Sequence, residues 1–165
     1  MLKITIATVV SCAVLQAPVA ATQRGAEDAV RTFQRQLAAA EAGNGIAQNE
    51  VGVRYAEGRG VGQDIPRGMY WFEKSVESGE ARAACNLGLH FARGWGVSKD
   101  VVTSLKWYII GDSLDALSCS LTEEEVLQVF GVKPTYAQFY QAGLRAVAWA
   151  DAHPKTFPNH RDHRQ

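Results

Sequence analysis

A period of 36 residues constrains what this chain can fold into more than any other feature. Residues 41–76 and 77–112 align without a gap, and ten of the 36 aligned positions are identical. Gly43/Gly79, Gly52/Gly88, Gly58/Gly94, Gly60/Gly96, Val61/Val97, Asp64/Asp100 and Trp71/Trp107 keep the spacing. Val51/Leu87, Tyr55/Phe91 and Met69/Leu105 differ only in apolar size or shape. A unit of this size cannot bury its own apolar face, so a fixed period predicts stacked units that bury it on one another. Such a pattern points to an interaction scaffold rather than an enzyme, without identifying what is held.

Each unit reads as two helices. The first covers 46–57 and again 82–93, where Ala47, Val51 and Tyr55 recur as Ala83, Leu87 and Phe91 in one apolar stripe. Gly52 and Gly88 sit beside that stripe. Glycine costs helix stability, so its recurrence predicts a neighbouring helix too close for a side chain. Gly58 and Gly94 stand where a helix ends in a residue of positive φ, and Gly60 and Gly96 allow a sharp turn after it. Val61 and Val97 are expected to plug that turn into the core. Asp64 and Asp100 then precede the second helix, where a short acceptor satisfies free backbone N–H groups. That helix carries Met69, Trp71, Phe72 and Val76 in unit one and Leu105, Trp107, Tyr108, Ile109 and Ile110 in unit two, all expected in the core.

The flanks read as caps, 22–40 before the repeats and 113–152 after them. Residues 26–42 form a helical pattern with Val30, Phe33, Leu37 and Ala40 on one side, ending before Gly43 as the next second helix ends before Gly79. This predicts the second helix of a degenerate first unit. Thr122 and Glu125 form a capping box that opens a short helix, and 133–135 starts a longer one reaching about Ala152. The tail 153–165, with two prolines and many charges, is expected to be disordered.

With 17 basic and 17 acidic residues the formal charge is +0, so no global field favours nucleic acid or anionic lipid. The first 21 residues combine Lys3, an apolar run from Ile4 to Leu15 and the small residues Val19-Ala20-Ala21. This describes a secretory signal peptide cut after Ala21, hence a periodic fold over 22–152 in the periplasm or outside the cell, with no membrane insertion after removal. A transmembrane anchor and a lipoprotein signal processed at Cys12 are the alternatives. Once 1–21 are removed, Cys85 and Cys119 remain. An exported protein with two cysteines invites a bridge, whereas Cys85 also reads as a small buried helix residue. Equivalent positions on stacked helices lie about 8–10 Å apart, too far for a disulfide, so the pairing stays open.

The run Ala-x-x-x-(Val/Leu)-Gly-x-x-(Tyr/Phe)-Ala-x-Gly-x-Gly-Val-x-x-Asp, followed seven residues later by Trp, resembles the Sel-one-like repeat. It occupies Ala47 to Trp71 and again Ala83 to Trp107. The resemblance implies an all-α fold, a right-handed α/α superhelix related to tetratricopeptide repeats, and adaptor work among proteins. Gly68 and Ser104 depart from the family's usual alanine, and Ile109-Ile110-Gly111-Asp112 departs from the usual ending, which suggests that the array finishes at unit two.

In tetratricopeptide-like arrays the face opposite the inward stripe lines a concave groove. Here that face carries Asn49, Val53 and Glu57, with equivalents Cys85, Leu89 and Arg93, flanked by Glu50 and Asn86. Asn49, Glu50, Val53, Glu57, Asn86, Leu89 and Arg93 are therefore the expected contacts for a protein or peptide partner; the alternative is a solvated face with no ligand. No catalytic, metal or cofactor residue is expected. His90 lies five residues after Cys85, which is not a same-face spacing, and the glycines at 58, 60 and 62 follow a helix rather than a strand, so they are not a nucleotide fingerprint. His153, His160 and His163 make a poor closed metal site. Some cysteine-rich relatives of this repeat bind or hydrolyse β-lactams, but they pair cysteines within each unit. A structural subunit of an envelope complex, docking through 122–152, is the remaining reading.

Overall fold

A computed structural model describes residues 17–115, 118–119 and 121–157, with side chains from Gln23 onward except at 123. Within them the chain is all helical: α1 (Ala17–Glu41), α2 (Gly45–Glu57), α3 (Ile65–Glu77), α4 (Ala81–Arg93), α5 (Val101–Leu114), α6 (Glu123–Phe130) and α7 (Tyr136–Ala152). Helices α2/α3 and α4/α5 are the two repeat units, and they stack in a solenoid.

The expected punctuation is present. Asp64 and Asp100 each accept a hydrogen bond at 3.0 Å, from the backbone N–H of Arg67 and of Thr103. Gly58 and Gly94 close α2 and α4 with the same φ of 74°. A Cβ on Gly52 would stand 2.6 Å from the Phe72 ring, and one on Gly88 would stand 2.8 Å from the Tyr108 ring. Those two pairs are themselves one period apart, so the recurring glycine admits the aromatic ring of its own second helix. Arg54 donates to the Arg59 carbonyl at 3.1 Å, and His90 Nδ1 meets the Trp95 carbonyl at 2.9 Å. These side chains also stand one period apart and pin equivalent turns, so the repeat conserves a bond whose donor has changed chemistry.

Helix α1 takes the place of a second helix, as its spacing predicts. A Cβ on Gly60 would overlap the Ala29 carbonyl oxygen, and one on Gly96 would overlap the Ile65 side chain. Ala29 and Ile65 are 36 residues apart, so the glycine turn of each unit presses on the same point of the preceding helix. The stripe Ala47, Val51 and Tyr55 is buried against Phe33 and Ala40 of α1, while Ala83 and Leu87 are buried with Phe72 and Val76.

The C-terminal cap follows the expected boundaries but packs differently from a third unit. Thr122/Glu125 and Thr135/Gln138 each form a capping box. Helix α7 lies on α5 through the small residues Ala142, Ala146 and Ala150, all buried, and Trp149 meets Trp107 edge-on at 5.6 Å. Tyr136, Phe139, Tyr140, Leu144 and Val147 of the same helix are exposed, and Tyr140, Leu144 and Val147 border a hollow of about 360 Å³ shared with Ile109 and Ile110 of α5. The expectation of disorder from His153 is corrected for 153–157. His153 stacks on Trp149 at 3.9 Å, and the Thr156 hydroxyl donates to the Glu77 carbonyl at 2.6 Å, clasping the end of α7 to α3. Residues 158–165, with His160 and His163, lie outside the described residues, as do 1–16, with Lys3 and Cys12.

Cys85 and Cys119 are joined in a disulfide, with Cα atoms 5.5 Å apart. The helix-to-helix distance that argued against a bridge does not apply, because Cys119 sits in the connection after α5 rather than on a stacked helix. Gly111 makes the approach possible, since a Cβ there would overlap the Cys119 sulfur. Its equivalent in unit one is Ser75, whose hydroxyl donates to the Gly45 carbonyl at 2.7 Å. The departure at Gly111 is thus the space into which the bridge fits.

Candidate functional site

The first helices of the two units, α2 and α4, line a groove of about 490 Å³. Val53, Ala56 and Glu57 come from α2, and Asn86, Leu89 and His90 from α4. Phe72 of α3 and Ile65 at its start reach the floor, and the turn 94–96 closes one end. Stacking produces this arrangement: the inward stripes pull α2 and α4 onto the core, and the opposite faces then border a common trough.

Four of the seven expected contact residues, Val53, Glu57, Asn86 and Leu89, border this groove. The other three stand elsewhere. Asn49, expected on the outer face, is 6% exposed, and its Oδ1 accepts a hydrogen bond from Asn86 Nδ2 at 2.9 Å. It braces α2 against α4 and orients Asn86 instead of meeting a ligand. Glu50 is half-buried, and its charge acts on Arg82. Arg93 is exposed and turned toward α5, where its charge opposes the burial that pushes the Tyr108 hydroxyl up to about 12.

Among the bordering residues that did not figure among the expected contacts are His90 and Trp95. Trp95 is 51% exposed, an unusual placement for the largest side chain, and His90 meets it edge-on at 5.8 Å. The signal was in the alignment: Trp95 replaces Arg59 of unit one, in a turn whose flanking glycines are otherwise unchanged. His90 also lies 5.8 Å from the Phe72 ring. The groove therefore has apolar walls (Val53, Leu89, Trp95) and a polar rim (Glu57, Gln63, Asn86), suited to one apolar side chain and its hydrogen-bonding backbone.

Cys85 is committed to the disulfide and His90 Nδ1 to the Trp95 carbonyl. Among the described residues no three His, Cys, Asp or Glu side chains gather to hold a metal ion. No helix there is long and apolar enough to cross a membrane.

The Sel1 repeat model matches residues 45–80 and 81–110. The crystal structure of c5321, a protective antigen present in uropathogenic Escherichia coli strains that displays an SLR fold, is similar with a TM-score of 0.62 at 24% identity. That likeness covers 82% of this chain and 28% of the antigen. The crystal structure of a Sel1 repeat protein from Oxalobacter formigenes is similar with a TM-score of 0.54 at 29% identity, over 73% of this chain and 53% of that protein. The chain thus spans about a quarter and about half of the lengths of these two structures. No curated protein matches it.

Proposed function

The chain carries two Sel1 repeats, and on that premise we propose that it is an exported adaptor of the Sel1-like repeat family that holds a protein partner through an extended peptide segment in the α2/α4 groove. The observation that carries the reading is the convergence of Val53, Leu89 and the exposed Trp95 on one trough between repeat units, beside Glu57 and Asn86. A side chain entering there is desolvated by three apolar walls, and the partner's backbone is offered carbonyl and amide groups at the rim. Repeats of this type generally serve protein contacts, which supports the same reading.

Export is supported by the pairing of Cys85 with Cys119, because such bridges persist in oxidising compartments, and by the apolar run ahead of Pro18. The mature protein then begins at Thr22, a prediction that N-terminal sequencing of the protein from its own cells checks directly.

The test of the groove is crosslinking capture in those cells, with Leu89→Asp and Trp95→Ala beside the unaltered protein. Loss of a specific partner from variants that keep the helical circular dichroism of the parent is expected. Equal capture by the folded variants overturns the groove.

A further inference from the structure

We infer that the outer face of α7 is a docking surface for a second copy of this chain. The inference is independent of the groove, which lies on α2 and α4.

Seven of the eleven large apolar side chains exposed among the described residues fall between Leu127 and Val147, and five of them stand on α7. Tyr136 is 86% exposed, Tyr140 59% and Leu144 55%, with Phe139 and Val147 at 43% and 40%. Solenoids keep their terminal outer faces polar to remain soluble, and this one does not. With aromatic side chains offering about 150–250 Å² each, the exposed parts of these five come to roughly 500 Å². That is at the upper end of what a monomer leaves uncovered, and it approaches the roughly 800 Å² per partner of a stable interface.

A glycine supplies the second observation. In the repeat helices Gly52, Gly68, Gly88 and Gly111 each have an atom within about 3 Å of where a Cβ would stand, so internal packing explains them. Gly143, in the middle of α7, has nothing within 4 Å. Gly25 shares that openness, but in the early turns of α1 rather than within a docked helix. Glycine inside a helix is unfavourable, and at Gly143 no neighbour among the described residues requires it. The space over it is a hollow of about 360 Å³ that Tyr140, Leu144 and Val147 share with Ile109 and Ile110 of α5, into which a side chain of a second copy fits.

The face is also complementary to itself. Its aromatic residues lie toward the start of α7 and its aliphatic ones toward the end, on one side at helical spacing. An antiparallel copy centred between Gly143 and Leu144 sets Leu144 over the partner's Gly143 and Tyr140 against the partner's Val147. Such a pairing is isologous, as a closed two-fold dimer requires. Charge does not oppose it. Between Tyr136 and Ala150 the one charged side chain is Arg145, which is engaged by Asp100 at 3.7 Å and Thr103 at 3.1 Å on α5. Of the segments outside the described residues, the apolar 1–16 is removed on the export reading above, on which this step rests, and 158–165 reads Pro-Asn-His-Arg-Asp-His-Arg-Gln, with no large apolar side chain to cover this face.

Sedimentation equilibrium of the full protein tests the inference, from low micromolar to several hundred micromolar, beside Tyr140→Glu and Leu144→Glu. Both side chains are more than half exposed, so the variants are expected to fold, which circular dichroism verifies. The expected result is a reversible species of twice the chain mass whose dissociation constant rises more than about tenfold in each variant. Gly143→Leu fills the hollow from one side and is expected to weaken association without lowering the melting temperature of the dilute protein. A parent that stays monomeric throughout overturns the proposal, whether flotation on vesicles then assigns the face to lipid or not. A dimer indifferent to both glutamates overturns it as well, by moving the contact to another face.

Discussion

At the scale of single residues, equivalent positions in the two units do not carry equal weight. Trp71 and Trp107 share one alignment column, yet Trp107 is 2% exposed and Trp71 only half-buried. The asymmetry comes from α7, which covers α5 and has no counterpart over α3. Trp107→Ala is therefore expected to cost about 3–5 kcal/mol through a large cavity, and Trp71→Ala distinctly less. Equal losses in urea melts would contradict this packing. Asp100 offers a pH-dependent check. Burial acts to raise its pKa, but the Thr103 hydroxyl, backbone N–H groups and the Arg145 charge outweigh that and hold the carboxyl below its ordinary range. A depressed folded-state pKa means stability that is present above the unfolded value and lost as pH falls through the folded one. Asp100→Ala is expected to cost about 1 kcal/mol near neutrality, and the gap from the parent should close on acidification. A gap in melting temperature unchanged between neutral and strongly acidic pH would rule out the cap as its source.

At the scale of elements, what the residues announced and what they concealed separate cleanly. The helices of the units end and begin at glycine and aspartate, whose effects act within one turn, so their boundaries were legible. The bridge was not legible, because its geometry depends on the path of the connection after α5 and on the hollow left by Gly111. The half-site on α2 was legible from periodicity, but Asn49 looked like a contact residue when it is a brace, since periodicity assigns a direction and not a burial. The disulfide ties residues 34 apart and constrains the unfolded chain. Cys85→Ser with Cys119→Ser is expected to lower stability by about 3–4 kcal/mol, as judged by loop length. Reduction of the parent should reproduce the double variant's melting temperature; a reduced parent as stable as the oxidised one would show that the bridge adds nothing.

At the scale of the whole molecule, two repeat units are too few to cover themselves, and both ends are closed by helices that are not full repeats. Helix α1 closes one end in the register of the array. Helix α7 closes the other out of register and returns to α3 through His153 and Thr156. A chain ending at Val132 would uncover Trp107 and Ile110, so it is expected to lose cooperative unfolding, whereas one ending at Phe157 should melt as the parent does. Circular dichroism melts of the two truncations distinguish these outcomes; a sharp transition in the shorter chain would deny α7 its structural part.

The sequence by itself determined the repeat, its register, the helices and the turns that join them, because caps, glycine turns and apolar spacing act over distances shorter than one period. It also marked the face on which the groove lies. Tertiary structure alone decided which residues of that face reach the groove, that Cys85 meets Cys119, and that α7 buries Ala142, Ala146 and Ala150 and leaves Tyr136, Phe139 and Tyr140 exposed. Each of these depends on how a segment without the repeat lies across one that has it, and that path is chosen by long-range packing which no local pattern encodes.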